Sequence, residues 1–556
     1  MERKEDIGRM HTAGLTIDFE YGELWRGLHR SNPLSFKRPY SFTVYKDRDK
    51  YMAEDWRGRI RFEDDDASEV IQSAVDNGKT VVIREGEYSI SRRIDGKDNV
   101  SIVILNGAVL TLADGVNDVI FKAVGLKNFN IICHGVLDGN KSNQTSGHLI
   151  HYSDGCEDFR IYVKELRNAY EDGVFISTGS KTFTVRVDYV HDCGRNGVSL
   201  WDQVENAEVE FVRGYRNGQH TLWLANDQTG SEKHYSKNIS IKTVIGEDDG
   251  YATLYIDSGS TYVSVGTVIS INPVHAGVYI YGSDDQSPET VNLTHDIQIE
   301  KVIVYGGADI GGVFIYKCLG RIQIGEIIGY NTSQAVLRTD HLSPNRMKNL
   351  QIGSIIARNS GANGVLLILL EDSQFGSLYI ENAQEYGLYI YDNTCRRLQF
   401  GRVVVKNSSQ KSGGTYDGVL INSDDIVFDQ IIAYDDQDTP TQRYGVHNYG
   451  SRVLIKSLMG SGNASGLWFD EGNAVVKGIG FENSGVAVFS GDGSTTTFRI
   501  EHGLVSTPSK YGVSPLTPDA DASRTITVDD TYITITFDTA PPSGTDNVKF
   551  GWWAEV

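Results

Sequence analysis

A repeat of about 25 residues, which recurs from Asn168 to Asn483, constrains the fold of this chain more than any other feature. Each unit has a strand of alternating apolar residues, an Asn or Asp, usually a Gly five residues later, and a second apolar strand. A fixed period of this length is typical of a solenoid, in which each unit stacks on the next. The polar position falls at Asn168, Asp192, Asn217, Asn272, Asn331, Asn359, Asn382, Asn407, Asp435 and Asn483.

The second strand of the unit identifies the solenoid as a β-solenoid. Segments such as Ile322-Gln-Ile-Gly-Glu-Ile-Ile328 alternate apolar and other residues and are rich in β-branched side chains, which predicts strands. We expect the Asn side chains to stack at one turn and to hydrogen-bond along the rod. A glycine should bend the chain into the next strand. It stands at Gly173, Gly197, Gly277, Gly364 and Gly387, with Thr221 and Thr253 in its place in two coils.

The repeat divides the chain into three parts. Residues 1–64 are not repetitive and are interpreted as a capping or attachment segment. Residues 65–485 form the predicted solenoid, which begins with an amphipathic helix over about 64–76 that covers the open first coil. Residues 486–556 alternate Thr and Ile between Gly/Pro turns, which predicts a small β-sandwich. Carbohydrate binding, trimerisation and rod capping remain open as its role.

Two segments carry a resemblance to a known superfamily. The helix-to-strand stretch VIQSAVDNGKTVVIREGEYSI and the later GVLDGN resemble the pectate-lyase-like superfamily of right-handed parallel β-helices, which includes polygalacturonases, pectate lyases and phage tailspikes. The resemblance implies an all-β right-handed parallel β-helix that acts on or binds a polysaccharide. Its tailspike members imply a homotrimer.

The outward positions of the predicted strands are unusually aromatic. After each bend, odd offsets should point inward and even offsets outward. Aromatic faces stack on sugar rings, so this stripe predicts a polysaccharide groove, with burial against loops or other subunits as the alternative. The candidates for substrate binding are Trp201, Trp223, Tyr255 and Tyr279, with Arg195 and His220 beside them. The whole outward set is Phe175, Trp201, Trp223, Tyr255, Tyr279, Tyr281, Phe314, Tyr316, Tyr389, Tyr391 and Trp468.

Carboxylates border this stripe, and glycoside hydrolysis uses two of them, one protonated and one ionised. The candidates for catalysis are Glu171, Asp172, Asp249 and Asp257, with Asp202 and Asp227 nearby; the alternative for each is a solvated turn.

Comparison with the polygalacturonases carries over only Glu171 and Asp172, because Asn196 stands where their His would be. Resemblance to pectate lyases would instead imply Ca²⁺ and an Arg base such as Arg195. No other cofactor or metal is expected.

Composition restricts the partners. Lys+Arg 52 against Asp+Glu 73 gives a net charge of −21, which argues against binding nucleic acid or anionic membranes. The sequence has no apolar run of membrane-spanning length and no signal-peptide core, so the chain is either intracellular or exported by another route. Of these, we expect the extracellular space or a virion surface. Five scattered cysteines predict buried thiols.

The sequence thus predicts a protein that binds and cleaves a polysaccharide, with hydrolysis favoured over elimination. The alternatives are a non-catalytic glycan-binding adhesin or tailspike, and a structural fibre protein.

Overall fold

The computed structural model describes residues 40–227, 234–282, 294–318, 320–341, 346–476 and 480–556. Strands of successive coils pair in parallel and in register, as in Ile322 with Leu350 and Val174 with Val198. These pairings build two sheets, one of 22 strands and one of 15 strands, around a continuous apolar core. The right-handed parallel β-helix predicted from the repeat and the resemblance is confirmed.

The 22-stranded sheet is here named the long-strand sheet. Its strands are Phe42–Asp47, Lys50–Asp55, Ile60–Asp64, Thr80–Ile83, Gly86–Ile90, Ser101–Ile104, Ala108–Leu112, Asn130–Asp138, Glu157–Arg167, Lys181–His191, Glu205–Tyr215, Ser236–Glu247, Ser260–Ile271, His295–Tyr305, Gly320–Tyr330, Met347–Arg358, Leu370–Glu381, Arg396–Lys406, Asp424–Tyr434, Ser451–Ile455, Leu458–Met459 and Asn473–Val476.

The 15-stranded sheet is named the short-strand sheet. Its strands are Ile94–Asp95, Phe121–Val124, Ile150–Ser153, Val174–Ser177, Val198–Trp201, His220–Ala225, Ala252–Ile256, Ala276–Tyr281, Gly311–Tyr316, Leu337–Asp340, Val365–Leu367, Leu388–Ile390, Val419–Ile421, Tyr444–Asn448 and Gly466–Asp470. Short 3₁₀ turns lie at Lys141–Asn143 and Pro518–Ala520.

The N-terminal end is closed by an α-helix, Ala67–Asn77, close to its predicted bounds. Asp66 caps it by accepting from the Ser68 amide at 2.8 Å, and its apolar stripe of Val70, Ile71, Ala74 and Val75 is buried. Strands between residues 40 and 64 pair with each other antiparallel, and the first pairs in parallel with Thr80–Ile83. This part of the predicted attachment segment therefore belongs to the solenoid; the rest, residues 1–39, lies outside the described residues.

The repeated polar position is a left-handed turn that follows the long strands. Asn168, Asn331 and Asn359 have φ near +55°, a conformation that Asn tolerates better than most residues. Asn359 Nδ2 donates to Asn331 Oδ1 at 3.0 Å, and Asn382 Nδ2 donates to Asn359 Oδ1 at 3.0 Å, which confirms the expected amide ladder in these coils.

Three of the predicted polar positions do not hold the left-handed turn. Asp435 follows the strand Asp424–Tyr434 but has no positive φ. In the third coil Arg216 holds the left-handed turn, with φ 50°, and Asn217 is the buried residue after it. Asn483 lies in the first strand of the C-terminal unit rather than in a coil.

The bend into the short strands is as predicted at Gly173, Gly197, Thr221 and Thr253, each of which directly precedes an inward residue of the short-strand sheet. At Gly364 an added Cβ would lie 2.6 Å from a backbone carbonyl oxygen of the next coil. Close stacking of coils is therefore what requires glycine here.

The C-terminal unit is the predicted β-sandwich, and it begins at Glu482 rather than at 486. Its antiparallel sheets enclose their own core, which includes Phe498, Ile535 and Phe550. The strands are Glu482–Gly491, Lys510–Pro515 and Gly544–Glu555 in one sheet, and Thr497–Glu501, Arg524–Val528 and Tyr532–Phe537 in the other.

Two further expectations concern side chains and helices. All five cysteines are buried and free, as predicted. In the described ranges, no helix combines the length and the apolar character needed to cross a membrane.

Candidate functional site

The outward face of the short-strand sheet carries a row of aromatic side chains, one in each of several successive coils. Trp223, Tyr255, Tyr279 and Phe314 occupy equivalent positions in four successive coils. The Tyr255 and Tyr279 rings lie 4.8 Å apart and 10° from parallel, and the Tyr279 and Phe314 rings lie 5.1 Å apart. Because these residues are in register, their rings form a row parallel to the rod axis, as the sequence predicted. We name Trp223, Tyr255, Tyr279 and Phe314, with Trp201 beside them, the aromatic track.

The track is not equally accessible along its length. Tyr279 and Phe314 are 6% and 7% exposed, because their neighbours in the stack cover them. Trp201, Trp223 and Tyr255 are half-buried, and the two indole rings lie 4.9 Å apart. Tyr279 therefore contributes mainly packing, whereas the tryptophan pair and Tyr255 present surface to a ligand.

Trp468 does not belong to the outward stripe. It pairs with the inward Val446 and packs against the core of the solenoid. The prediction for Trp468 was wrong because the bend of this coil falls at Leu467. If the bend is placed one residue earlier, every side chain of the strand is assigned to the opposite side of the sheet.

Asp257 lies at the edge of the tryptophan surface, one residue beyond the strand Ala252–Ile256. Burial raises the pKa of its carboxyl, and hydrogen bonding from Ser258, Tyr255 and Trp223 opposes that rise. The Ser258 amide and hydroxyl donate to Oδ1 at 2.6 and 3.0 Å, whereas the Trp223 indole nitrogen faces the carboxyl without a well-formed hydrogen bond. A carboxyl in this setting retains its proton more readily than a solvated one.

Two more carboxylates stand on the same edge, within two coils of Asp257. Asp202 follows Trp201 and lies 2.6 Å from His234 Nδ1. The Asp227 amide donates to Asp202 Oδ1 at 3.3 Å, which brings the two residues together. Asp202 is two coils away from Asp257, roughly 10 Å, and Asp227 is one coil away. We name Asp202, Asp227 and Asp257 the acidic edge.

Asp249 does not reach the outer face. It is 0% exposed at the inner side of the turn, where Thr221 Oγ1 and Thr253 Oγ1 donate to its Oδ2 at 2.7 and 3.2 Å. Burial raises the pKa of its carboxyl to about 7. Its prediction as a catalytic group paired with Asp172 is wrong, because it lies three coils from Asp172 and under the backbone.

Glu171 and Asp172 form a second polar group, together with His148 of the preceding coil. His148 Nε2 lies 3.1 Å from Glu171 Oε2, and His148 Nδ1 lies 3.4 Å from Asp172 Oδ2. The Asp172 carboxylate is completely buried, and the Asn196 amide donates to its Oδ1 at 2.9 Å. The Asp172 backbone amide donates to His148 Nδ1 at 3.3 Å, so this nitrogen is an acceptor, and the nearby Asp172 Oδ2 makes no hydrogen bond to it. Glu171 is the more accessible of the two carboxylates.

His151 and Lys122 extend this group along the face. His148 stacks on Phe175 at 4.5 Å, and His151 meets the edge of the same ring at 5.0 Å. Lys122 Nζ lies 2.6 Å from His151 Nδ1. Burial and the nearby ammonium lower the pKa of His151 to about 3, so this imidazole is neutral and accepts a hydrogen bond from the lysine.

Arg195 and His220, the two other predicted binding residues, border the tryptophan surface. The Arg195 guanidinium lies 5.8 Å from the Trp223 ring centroid. His220 is 5% exposed, its Nδ1 lies 3.2 Å from the Ala252 carbonyl oxygen, and burial lowers its pKa to about 3. Arg195 is therefore available to a ligand, whereas His220 supports the rings of Tyr251 and Tyr255, at 5.2 and 5.0 Å.

Sequence reasoning missed the role of His148, His151 and Lys122. The signal was present, because His148, Asp172, Asn196 and His220 all stand one residue before the start of the bend in successive coils. In the described residues, no group of three or more His, Cys, Asp or Glu side chains suits a metal ion.

The fold and this face define a parallel β-helix with an aromatic outer track that carboxylates border. No protein-family model matches the chain, and no curated protein matches it. Among solved structures, the chain is similar to the tailspike protein of E. coli bacteriophage HK620 in complex with pentasaccharide, at 12% identity and a TM-score of 0.44 over 88% of this chain and 90% of that chain.

Two further structures are similar. The Gp54 tailspike of Acinetobacter baumannii bacteriophage AP22, in complex with A. baumannii capsular saccharide, has 11% identity and a TM-score of 0.34 over 88% of this chain and 94% of that chain. The A-module of the Azotobacter vinelandii mannuronan C-5 epimerase AlgE4 has 14% identity and a TM-score of 0.33 over 74% of this chain and 96% of that chain. At these values the likenesses carry no argument about function.

Proposed function

We propose that the protein binds a polysaccharide along the aromatic track and hydrolyses it at the acidic edge. The observation that supports this most is the in-register pair of Trp223 and Tyr255 on the outer face, with the Trp201 ring beside Trp223. Aromatic side chains on the outside of a sheet are unfavourable in water unless a ligand or partner covers them, and their spacing suits a polymer that runs parallel to the rod.

In this proposal Asp257 is the general acid. A glycosidic oxygen needs a proton as its bond breaks, and a carboxyl whose pKa is raised by burial keeps its proton to a higher pH than a solvated one does. The Trp223 and Tyr255 rings beside it would place the scissile bond within reach. A carboxyl that lies against aromatic rings is a known setting for a general acid.

The base that activates water comes from Asp202 or Asp227. Inverting glycosidases hold their two carboxyl groups about 6.5–9.5 Å apart, and retaining enzymes about 5–5.5 Å apart. Both residues lie within two coils of Asp257, whereas Glu171 and Asp172 are three coils away, roughly 14 Å. The register therefore favours the acidic edge over the pair that resembles the polygalacturonases.

Screening against neutral and uronic polysaccharides tests this, with new reducing ends and the ultraviolet absorbance of unsaturated uronates followed together. New ends without absorbance are expected. Asp257→Asn, Asp202→Asn and Asp227→Asn are then compared with Asp429→Asn, whose side chain is 62% exposed on the long-strand sheet. Loss of cleavage in Asp257→Asn by at least about a hundredfold supports the acid role. Full activity in Asp257→Asn would contradict it.

Elimination is a second candidate, because of the His148 group. The His148 imidazole lies between the Asp172 backbone amide and the Glu171 carboxylate, with the neutral His151 ring and the Lys122 ammonium nearby, and such a group is suited to remove a proton from carbon. Reducing ends that appear together with absorbance, and that vanish in His148→Asn but persist in Asp257→Asn, would favour this reaction. Binding to a glycan with no product would favour a non-catalytic adhesin or tailspike.

A binding face that runs along a solenoid suits a long polymer, and an extracellular or virion location is part of the proposal. A homotrimer remains a prediction. Sedimentation or light scattering of the purified chain would test it directly.

A further inference from the structure

A polar network that the track does not include lies near the C-terminal end of the same face. Arg443 donates to both oxygens of Asp417 through Nε and Nη2, at 2.8 and 2.7 Å. His447 Nδ1 lies 3.1 Å from Asp417 Oδ2, and its Nε2 lies 3.2 Å from Glu471 Oε1. Four side chains from three successive coils are thus joined in one chain of contacts, which runs from the buried Asp417 to the exposed Glu471.

Burial divides this network into a fixed base and an open rim. Asp417 and His447 are 0% and 2% exposed, so their geometry is set by the core. Glu471 is 47% exposed and Arg443 is 31% exposed. The bonds to Asp417 leave Nη1 of Arg443 available to donate elsewhere. A buried base that holds an exposed donor and an exposed acceptor is the arrangement of a preorganised polar site.

Exposed aromatic rings surround the rim. Phe469 and Tyr449 are 38% and 43% exposed. Phe469 stacks on Tyr444 at 4.8 Å and 8° from parallel, and Tyr449 lies 4.3 Å from the His447 ring. Burial and the Glu471 carboxylate raise the pKa of Tyr449, so its hydroxyl remains a donor. These rings are fixed by their neighbours while one face stays open, as a sugar-stacking surface requires.

The network lies on the outward face of the short-strand sheet, because His447 is in register with Leu420 and Phe469, and so continues the positions of Tyr255 and Tyr279. Seven coils separate Tyr255 from His447, which is roughly 34 Å. It is therefore a separate place on the same face and not an extension of the acidic edge.

We propose that Arg443, Glu471, Tyr449 and Phe469 form a second glycan-binding subsite, which holds a distant part of the polymer that the track binds. This inference rests on the proposed function. Phe469 and Tyr449 would stack on a sugar ring, Glu471 would accept from its hydroxyls, and Arg443 Nη1 would donate to them.

The charge of the subsite selects the sugar. Asp417 neutralises Arg443, and Glu471 remains as an exposed carboxylate at the rim. A uronate would be repelled by Glu471 and would find the guanidinium already paired. The subsite therefore takes a neutral or amino sugar, even if the polymer also contains acidic residues elsewhere.

The test measures binding of the intact chain to each neutral and uronic polysaccharide of the screen, and to fragments of graded length from each polymer that binds. Tyr449→Ala, Phe469→Ala and Glu471→Gln are compared with Tyr305→Ala, a tyrosine of similar exposure, 39%, on the long-strand sheet. Each subsite variant should weaken binding of long chains by about fivefold to tenfold, and weaken binding of short fragments much less. Tyr305→Ala should bind as the parent does.

Unchanged thermal stability of the variants is required, and the exposure of the three side chains makes it expected. If Trp223→Ala loses affinity while all three subsite variants bind long chains as the parent does, the subsite is refuted and the proposed function stands. If the parent binds no polysaccharide in the screen, the proposed function fails first, and the subsite falls with it. If a uronic homopolymer binds more tightly than a neutral one, and Glu471→Gln weakens that binding, the assignment to neutral or amino sugars is overturned.

Discussion

The buried carboxyl of Asp249 should make the protein less stable as the pH rises, and Asp249→Asn should remove that effect. In the fold, burial raises the pKa of this group to about 7, from the ordinary value of 3.8. Between those two values the folded chain keeps the proton and the unfolded chain loses it, so the free energy of unfolding falls as the pH rises. Below an unfolded pKa near 4, and above the folded pKa, this group adds no slope.

The size of the effect follows from the shift. About three pH units correspond to about 4 kcal/mol of unfolding free energy lost between about pH 4 and about pH 7. Asp249→Asn has no proton to lose, so the difference between variant and parent should move by about 4 kcal/mol in favour of the variant over this range. At low pH both side chains are neutral, and the variant should be the less stable form, because the amide buries two N–H donors where the protonated carboxyl buries one O–H donor.

Denaturant unfolding followed by tryptophan fluorescence at about pH 4.5, 6 and 8 measures this, with refolding curves to establish equilibrium. Asp429→Asn, at an exposed position, is the control and should run parallel to the parent. If the Asp249→Asn and parent curves also run parallel within about 1 kcal/mol, the carboxyl is not held protonated and the reasoning from burial is refuted. The variant should retain cleavage, which a catalytic Asp249 would not allow.

The other predictions concern binding, titration and coil stacking. Trp223→Ala should weaken glycan binding by about tenfold with little loss of stability, whereas Tyr279→Ala, at a 6% exposed position, should cost about 3 kcal/mol of unfolding free energy; equal effects on both quantities in the two variants would contradict the division of the track. His151, with its pKa lowered to about 3, should show no change in NMR ring chemical shift between about pH 5 and pH 8, and a titration in that window would contradict a neutral ring beside a lysine. Gly353→Ala should lower the midpoint of thermal unfolding, because its Cβ would lie 2.5 Å from a carbonyl oxygen of the preceding coil, whereas Gly413→Ala, with no neighbour closer than 3.6 Å, should not.

The strands, the solenoid and the outward aromatic stripe could be predicted from sequence because alternation alone fixes which way a side chain faces. Where a count began one residue too early, as at Trp468, the facing was reversed. Arg216 was missed at the turn because an Asn follows it directly, and a non-Asn residue in a left-handed conformation leaves no compositional sign.

The candidate site was harder to predict, because its contacts join residues about 24 positions apart in different coils. His148 reaches both Glu171 and Asp172 only through the register of the short strands. Asp249 looked like its neighbours on the face, but it precedes the bend by four residues and so lies beneath the corner. An alignment of the residues that precede each bend would have identified His148. The burial of Asp249 at a corner leaves no comparable pattern in the sequence.

The regular height of the coils has a consequence for how such a rod could change with time. Tyr255 and His447 are separated by a whole number of coils, each paired in register with the next. Duplication of one coil between them would lengthen the span by a single fixed step of about 4.8 Å and leave both surfaces chemically intact. The two surfaces would then contact points farther apart on the polymer through the same side chains. The preferred chain length should therefore change in discrete increments and not continuously.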